Sequence, residues 1–226
     1  MNKKIMSMLA LVAAACLAAT SASAITIMQT SHESIGNQAY SGIGLKFHVN
    51  TSILVSSLGI YDSGQDGLAA PSGSPLSTYL MTSVGGTLTS QTFDSTSQGA
   101  LSGNYRFKAI VPLVLLPGDY VLVGYGWTDP GDLEHNCNNG GNCDTFNDGG
   151  GLVTYIGSLY GSGGDAPGTL PTTPGGSTPD WFSGPNMQYD VFVAPALAGD
   201  VPEPASLALL GLGLAGLGLR RRNPAA

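Results

Sequence analysis

The sequence has little charge, and very little of that charge is positive. Lys and Arg total 8 of 226 residues against 15 Asp and Glu, which gives a formal net charge of −7. Nucleic-acid binding needs cations to pair with phosphates, so this balance argues against a nucleic-acid partner. At 42% hydrophobic and only 10% charged, the chain is also too apolar to be disordered. Glycine is abundant at 33 residues but has no three-residue period, which excludes collagen.

Histidine and cysteine, which often carry catalysis or bind metals, are scarce, with three of each. The histidines are His32, His48 and His135. No G-x-S-x-G nucleophile turn follows a strand and opens a helix. We therefore expect a non-enzymatic protein. A secreted hydrolase is the weaker alternative, and it would need convergent carboxylates or a nucleophile–base pair.

The first 24 residues have the order of a secretory signal peptide. Two lysines precede the apolar run at residues 5–19, and Ala22-Ser23-Ala24 is a small-x-small cleavage site. This order predicts export through the Sec translocon and a mature chain that begins at Ile25. A retained anchor is disfavoured because the run is shorter than the roughly 20 residues that span a bilayer. Lipoprotein processing at Cys16 is also disfavoured, because the residue three positions before it is small.

The C-terminus contains three elements in sequence. The tripeptide Pro202-Glu203-Pro204 precedes an apolar run at residues 207–219, and the cluster Arg220-Arg221-Arg222 follows it. Over residues 201–226 this order resembles the PEP-CTERM sorting signal of Gram-negative bacteria. The resemblance implies transient anchoring in the inner membrane, processing by an exosortase, and delivery to the cell surface or the extracellular space.

The physical properties of this tail fit a temporary anchor. Its two prolines remove backbone donors and keep the motif extended. Residues 205–219 would form about 22 Å of helix at roughly 1.5 Å per residue, which is shorter than a hydrocarbon core about 30 Å thick. The arginines would hold the end at the cytoplasmic face. The short span favours removal of the tail over the alternative, a permanent transmembrane helix.

Residues 25–200 predict one all-β domain. Short runs of alternating apolar or β-branched residues lie between clusters of Gly, Ser, Asn and Pro, without long helical periodicity. In one run, Ile43, Leu45, Phe47 and Val49 share a face, as in a half-buried strand. We predict nine strands, at residues 25–29, 43–49, 55–61, 77–82, 87–93, 105–115, 120–127, 152–156 and 188–194. This number of strands favours a β-sandwich of jelly-roll or Greek-key type.

Two connecting segments stand out. Leu116-Pro117-Gly118-Asp119 has Pro and Gly at its centre and predicts a hairpin between two apolar strands. Residues 128–185 contain 14 Gly and 6 Pro, so much of this acidic segment is expected to be loop. Several aromatic residues flank it, namely Tyr125, Trp127, Tyr155, Tyr160, Trp181 and Phe182. Such rings suit sugar binding, but alternation puts Tyr125 and Trp127 on one face with neighbouring valines, which favours a place in the core.

Four short motifs carry a second resemblance. They are Ser57-Leu58-Gly59-Ile60-Tyr61-Asp62, Asp66-Gly67-Leu68, Pro117-Gly118-Asp119-Tyr120-Val121-Leu122 and Gly184-Pro185-Asn186-Met187-Gln188-Tyr189. Together they look like a sandwich domain of unknown function that is common in secreted bacterial proteins with the same sorting tail. The resemblance implies a β-sandwich and brings no catalytic residues.

Cys137 and Cys143 remain after signal cleavage, and an even pair in an exported protein predicts a disulfide. The five residues between them are polar or glycine and bend freely. Zinc is the alternative, but it needs four ligands, and only His135 lies nearby.

Calcium is the cofactor that the acidic loop could hold, since hard cations take six to eight oxygen ligands. The carboxylates that would supply them are Asp129, Asp132, Glu134, Asp144 and Asp148. Asp62 and Asp66 also resemble the start of an EF-hand loop, although Gly64 stands at a ligand position. No spacing here matches a known calcium loop, so a solvated acidic loop and a simple turn are the favoured interpretation.

These features predict an exported, surface-sorted protein that serves as a structural or adhesive component of an extracellular polysaccharide or biofilm matrix. The matrix context is implied by the sorting-tail resemblance alone. The alternative is a carbohydrate-binding module, with or without calcium.

Overall fold

The computed structural model of the chain describes residues 24–29, 36, 38–70, 72–127, 132–136, 144–161, 166–175 and 182–194. The predicted tail, Cys137, Cys143 and all of the predicted signal peptide before Ala24 lie outside these residues. The chain divides into two compact units, Met1–Phe192 and Val193–Ala226, and every strand belongs to the first.

The described residues form an all-β domain with one short 3₁₀ turn at Ser63–Gln65. The strands in chain order are β1 (Ile25–Thr26), β2 (Met28–Gln29), β3 (Tyr40–Val49), β4 (Ile53–Tyr61), β5 (Leu76–Thr82), β6 (Thr87–Phe93), β7 (Ala100–Ser102), β8 (Tyr105–Leu115), β9 (Gly118–Trp127), β10 (His135–Asn136), β11 (Thr145–Phe146), β12 (Val153–Tyr160), β13 (Thr173–Pro174), β14 (Phe182–Ser183) and β15 (Pro185–Val191).

Two antiparallel sheets dominate the arrangement. The five-stranded sheet has the order β1-β15-β4-β8-β7, and the six-stranded sheet has the order β13-β12-β3-β9-β5-β6. Two small ribbons, β10-β14 and β11-β2, complete the pairing. The sheets pack as a sandwich, because buried side chains of both meet in one core. Phe47, Leu122 and Val153 of the six-stranded sheet join Val55 and Met187 of the five-stranded sheet there.

The turn at Leu116-Pro117 crosses between the sheets and does not close a hairpin. Strand β8 before it pairs with β4 and β7, whereas β9 after it pairs with β3 and β5. The predicted hairpin is therefore wrong. A Pro–Gly turn reverses the chain direction locally, and that reversal is the same whether the next strand joins its own sheet or the facing one.

All nine predicted strands overlap an observed strand, but their ends differ in places. The strand predicted at 188–194 lies at Pro185–Val191, and the one predicted at 152–156 continues to Tyr160. The segment predicted as loop also contains four two-residue strands, β10, β11, β13 and β14. Strands this short have too few side chains to show a periodic pattern.

Candidate functional site

The acidic residues of the long loop bond to separate partners in the structure. The Asp132 carboxylate oxygen Oδ2 accepts a hydrogen bond from the Ala70 amide at 2.5 Å, and Oδ2 of Asp144 accepts one from the Tyr105 hydroxyl at 2.6 Å. Asp148 is exposed and accepts a hydrogen bond from the Gly150 amide in a turn. In the part of the chain that the structure describes, no three His, Cys, Asp or Glu side chains group around a metal position. Asp129 lies outside that part, and the calcium site stays a prediction.

Glu134 is fully buried, and its backbone pairs with Gln38 through hydrogen bonds of 3.0 and 3.2 Å. Neither carboxylate oxygen has a hydrogen-bond partner among the described residues. Burial disfavours the charged form and raises the pKa of Glu134 to about 9. Without a bound cation the carboxyl is therefore protonated at neutral pH.

The turn with EF-hand-like spacing has a structural role in its own sheet. Asp62 is fully buried, and its Oδ2 lies 2.6 Å from Nε of Arg106. Its Oδ1 accepts a hydrogen bond from the Gly67 amide at 3.3 Å. The turn needs positive φ at Gly64 (75°), which only glycine adopts without strain. Asp62 thus ties this turn to β8.

A histidine–carboxylate pair lies on the surface of the six-stranded sheet. His48 on β3 faces Asp119 on β9, with Nδ1 and Oδ1 2.6 Å apart. The two side chains are 44% and 55% exposed. An ion pair with this exposure is weak because water solvates both partners.

Trp127 is fully buried against Ile43 and Ile60, on the inner side of the six-stranded sheet. Tyr125 belongs to a different cluster with Val121 and Val123, on the outer side. The prediction that Tyr125 and Trp127 share a face is therefore wrong. Gly126 between them has φ of 107°, and this irregularity breaks the alternation. Trp181 lies outside the described residues.

The outer face of the five-stranded sheet carries two adjacent open clefts. The first has a volume of about 450 Å³, and its lining includes Thr26, Gln29, Ser102, Tyr105, Thr145 and Asn186. The second has a volume of about 380 Å³, and its lining includes Ser57, Ser102, Phe107, Ala109 and Gln188. Because Ser102 belongs to both, the clefts form one surface, which we call the outer groove.

Strand register explains why these side chains share one face. Residues directly opposite each other in antiparallel strands point to the same side of a sheet. Gln188 is opposite Ser57, which is opposite Ala109, while Gly59 is opposite Phe107. The alternate residue Ile60 packs against the six-stranded sheet in the core. The outer groove is therefore on the side facing away from the core.

The outer groove was not predicted from the sequence. Three of its residues, Ser57, Asn186 and Gln188, belong to the short motifs at 57–62 and 184–189, and β4 and β15 pair these motifs side by side. The motifs therefore mark the centre of the five-stranded sheet. Their pairing could not be read from the sequence, because more than half of the chain separates them.

Comparison with protein families adds one assignment. Residues 200–222 match the family described as the PEP-CTERM protein-sorting motif. The chain carries a PEP-CTERM sorting motif. This result confirms the resemblance predicted from Pro202-Glu203-Pro204 and the apolar and arginine-rich segments after it. A PEP-CTERM motif marks an exported protein that is processed at the membrane and sorted to the surface, and it is a substrate signal for exosortase-type processing.

The remaining comparisons add little to the PEP-CTERM match. None of the curated proteins matches the chain. The crystal structure of the infectious bursal disease virus VP2 subviral particle aligns with 85% of this chain at 15% identity and a TM-score of 0.26. The chain spans about half the length of that viral protein, at 48%. A TM-score this low supports no argument about fold or function. In the described ranges, no helix is long and apolar enough to cross a membrane.

Proposed function

We propose that this protein is a non-enzymatic structural or adhesive component of an extracellular polysaccharide matrix. The observation that carries the proposal is the PEP-CTERM motif at residues 200–222, because it directs an exported protein to the surface. The β-rich domain upstream is the part that would remain there. The net charge of −7 of the whole chain disfavours a nucleic-acid partner.

The route to the surface follows from the two ends of the chain. The leader at residues 1–24 would pass the Sec translocon and be removed. The apolar segment 207–219 would then hold the chain in the inner membrane until an exosortase-type enzyme removes the tail.

We also infer Greek-key connections within the sandwich. Strand β9 lies between β3 and β5, and β4 lies between β8 and β15, so neighbouring strands are distant in sequence.

Deletion of Arg220-Arg221-Arg222 tests the sorting proposal. Without the cationic end, the apolar segment loses its stop at the cytoplasmic face. We expect a precursor with an uncut tail to accumulate in the membrane fraction, detected by western blot and by the intact mass of its C-terminus. Deletion of residues 223–226, which keeps the arginines, is the matched control. Normal maturation and release of the arginine deletion would contradict the proposal.

A carbohydrate-binding module is the second candidate, and the outer groove is the observation that favours it. In the version predicted from the sequence, calcium in the acidic loop would support binding. EDTA would then abolish binding, whereas a site built from the outer groove alone would be unaffected. Measuring sugar binding with and without EDTA therefore distinguishes a calcium-dependent site from a site formed by the outer groove alone.

A further inference from the structure

Three buried aromatic rings lie beneath the outer groove, and two of them, Tyr105 and Phe107, belong to its lining. Tyr61, Tyr105 and Phe107 form a row, with ring centroids 5.8 and 6.2 Å apart along it. The Phe107 ring lies directly over Gly59, where an added Cβ would be only 2.5 Å from its Cε1 atom. Glycine at this position therefore lets the ring lie low on the sheet and leaves the space above it open.

The walls of the outer groove consist of hydroxyl and amide groups. Gln29, Ser102 and Thr145 are exposed, and Gln188 is half-buried. The Ser57 hydroxyl donates a hydrogen bond to Oε1 of Gln188, which holds the carboxamide in one orientation. A polar group held in place before binding loses less entropy when a ligand arrives.

Charge is missing from this surface. Among the residues that the structure describes, no Asp, Glu, Lys, Arg or His lines either cleft. An anionic ligand would find no cation here, and it would be repelled by the net charge of −7. A purely apolar ligand would leave the wall hydroxyls and amides without partners. The chemistry that fits is a neutral ligand with apolar faces and a rim of hydroxyl groups.

A neutral sugar chain has this chemistry. The combined groove is extended, since its two clefts lie side by side and share Ser102. Each cleft also falls within the usual volume range of ligand sites. We propose that the outer groove binds a neutral oligosaccharide segment of a polysaccharide, without calcium. This inference deepens the proposed matrix function and names the surface that would make the contact.

The test uses the full chain, purified in a zwitterionic detergent that contains no sugar. Cellohexaose, laminarihexaose and mannohexaose are the neutral probes, and hexagalacturonic acid is the anionic probe. Affinities are measured by isothermal titration calorimetry with and without EDTA. The blocking variant is Ser102→Ile, because Ser102 is exposed, lines both clefts and lies on the edge strand β7. Ser90→Ile is the matched control, an exposed serine on the edge strand β6 of the other sheet.

We expect at least one neutral hexasaccharide to bind, with an affinity about tenfold weaker for Ser102→Ile and unchanged for Ser90→Ile. EDTA should have no effect. Isoleucine suits a strand, so both variants should keep the melting temperature of the original protein. Four results would each overturn the inference: binding of none of the neutral probes, tighter binding of hexagalacturonic acid, loss of binding in EDTA, or equal effects of the two variants. Sorting is not measured in this assay, so its failure would leave the surface-sorting proposal standing.

Discussion

The six-stranded sheet has an apolar patch on its outer face that is covered, whereas the five-stranded sheet has the open, polar-walled outer groove on its outer face. On the covered face, Val121, Val123, Tyr125 and Met81 are all buried. The segment at residues 166–175 supplies part of the cover, with Leu170 packed against this cluster. Residues of the chain itself therefore shield this apolar surface of the six-stranded sheet from water.

This difference separates a surface that stabilises the fold from one that is free for a ligand. An apolar outer face must be covered, because each exposed apolar side chain forfeits burial energy. The polar outer face needs no cover, since water satisfies its hydroxyl and amide groups. Glycines serve both faces: Gly42 leaves room for the Tyr125 ring on one, and Gly59 leaves room for the Phe107 ring on the other.

The largest expected effect is on the covered face. Tyr125→Ala would leave a cavity beneath the cover and should lower the free energy of unfolding by about 3–5 kcal/mol. Gln188→Ala on the open face removes one hydrogen-bonded amide and should cost about 1 kcal/mol. Urea unfolding of both variants measures the two values. Equal losses would show that the two faces do not differ in the way described.

A smaller effect is expected from an added methyl group under the Phe107 ring. Gly59→Ala forces the ring to shift and should cost about 1–3 kcal/mol through overpacking. Gly157→Ala is the control, because no atom lies within 4 Å of a Cβ built at Gly157. Thermal melting compares them, and a stability loss at Gly157 as large as that at Gly59 would contradict this account of the groove floor.

The third effect depends on pH. Glu134 has a folded-state pKa of about 9 against an ordinary value of 4.5. Between these values the folded protein keeps a proton that the unfolded chain loses, so stability should fall as pH rises, by about 1 kcal/mol per pH unit. Glu134→Gln should flatten the dependence between pH 5 and pH 8, as measured by urea unfolding at each pH. Equal slopes for the variant and the original protein would refute the assignment.

The open face supplies an internal control for that experiment. The outer groove is lined by no group that titrates between pH 5 and pH 8 among the described residues. Oligosaccharide affinity should therefore stay constant over the range in which stability changes. A parallel fall in affinity would mean that the groove depends on the Glu134 region.

The sequence predicts the strands of this protein better than their arrangement. The predicted bounds of β6 and β8 match the structure, and side-chain alternation located residues 43–49 of β3, because a strand with one buried face must alternate. Alternation gave the wrong face for Trp127. The positive φ of Gly126 turns the Trp127 side chain to the other face of the sheet, and the order of apolar and polar residues does not show this. The passage of the chain from one sheet to the other at Leu116-Pro117 was also not predictable, because the residues of a turn do not determine which sheet the next strand joins.

The candidate site was harder to predict than the fold. Ser102, Thr26 and Gln188 lie far apart in the chain and are ordinary polar residues, so nothing in the local sequence marks them. The sequence offered candidate metal ligands only in conspicuous acidic segments, and a solvated loop was the favoured interpretation there. In the structure, Asp132 accepts a hydrogen bond from a backbone amide and Asp144 accepts one from a tyrosine hydroxyl. The PEP-CTERM tail was predictable because its three parts are contiguous.

Among the described residues, β15 is the last strand in the chain, yet it lies inside the five-stranded sheet between β1 and β4. A chain that stopped before Pro185 would leave both neighbours with unpaired edges, which are prone to aggregate. Contacts between such distant segments give a high contact order and slow folding. The five-stranded sheet can therefore form only after β15 has been synthesised. Such late folding is compatible with export of the chain in an unfolded state.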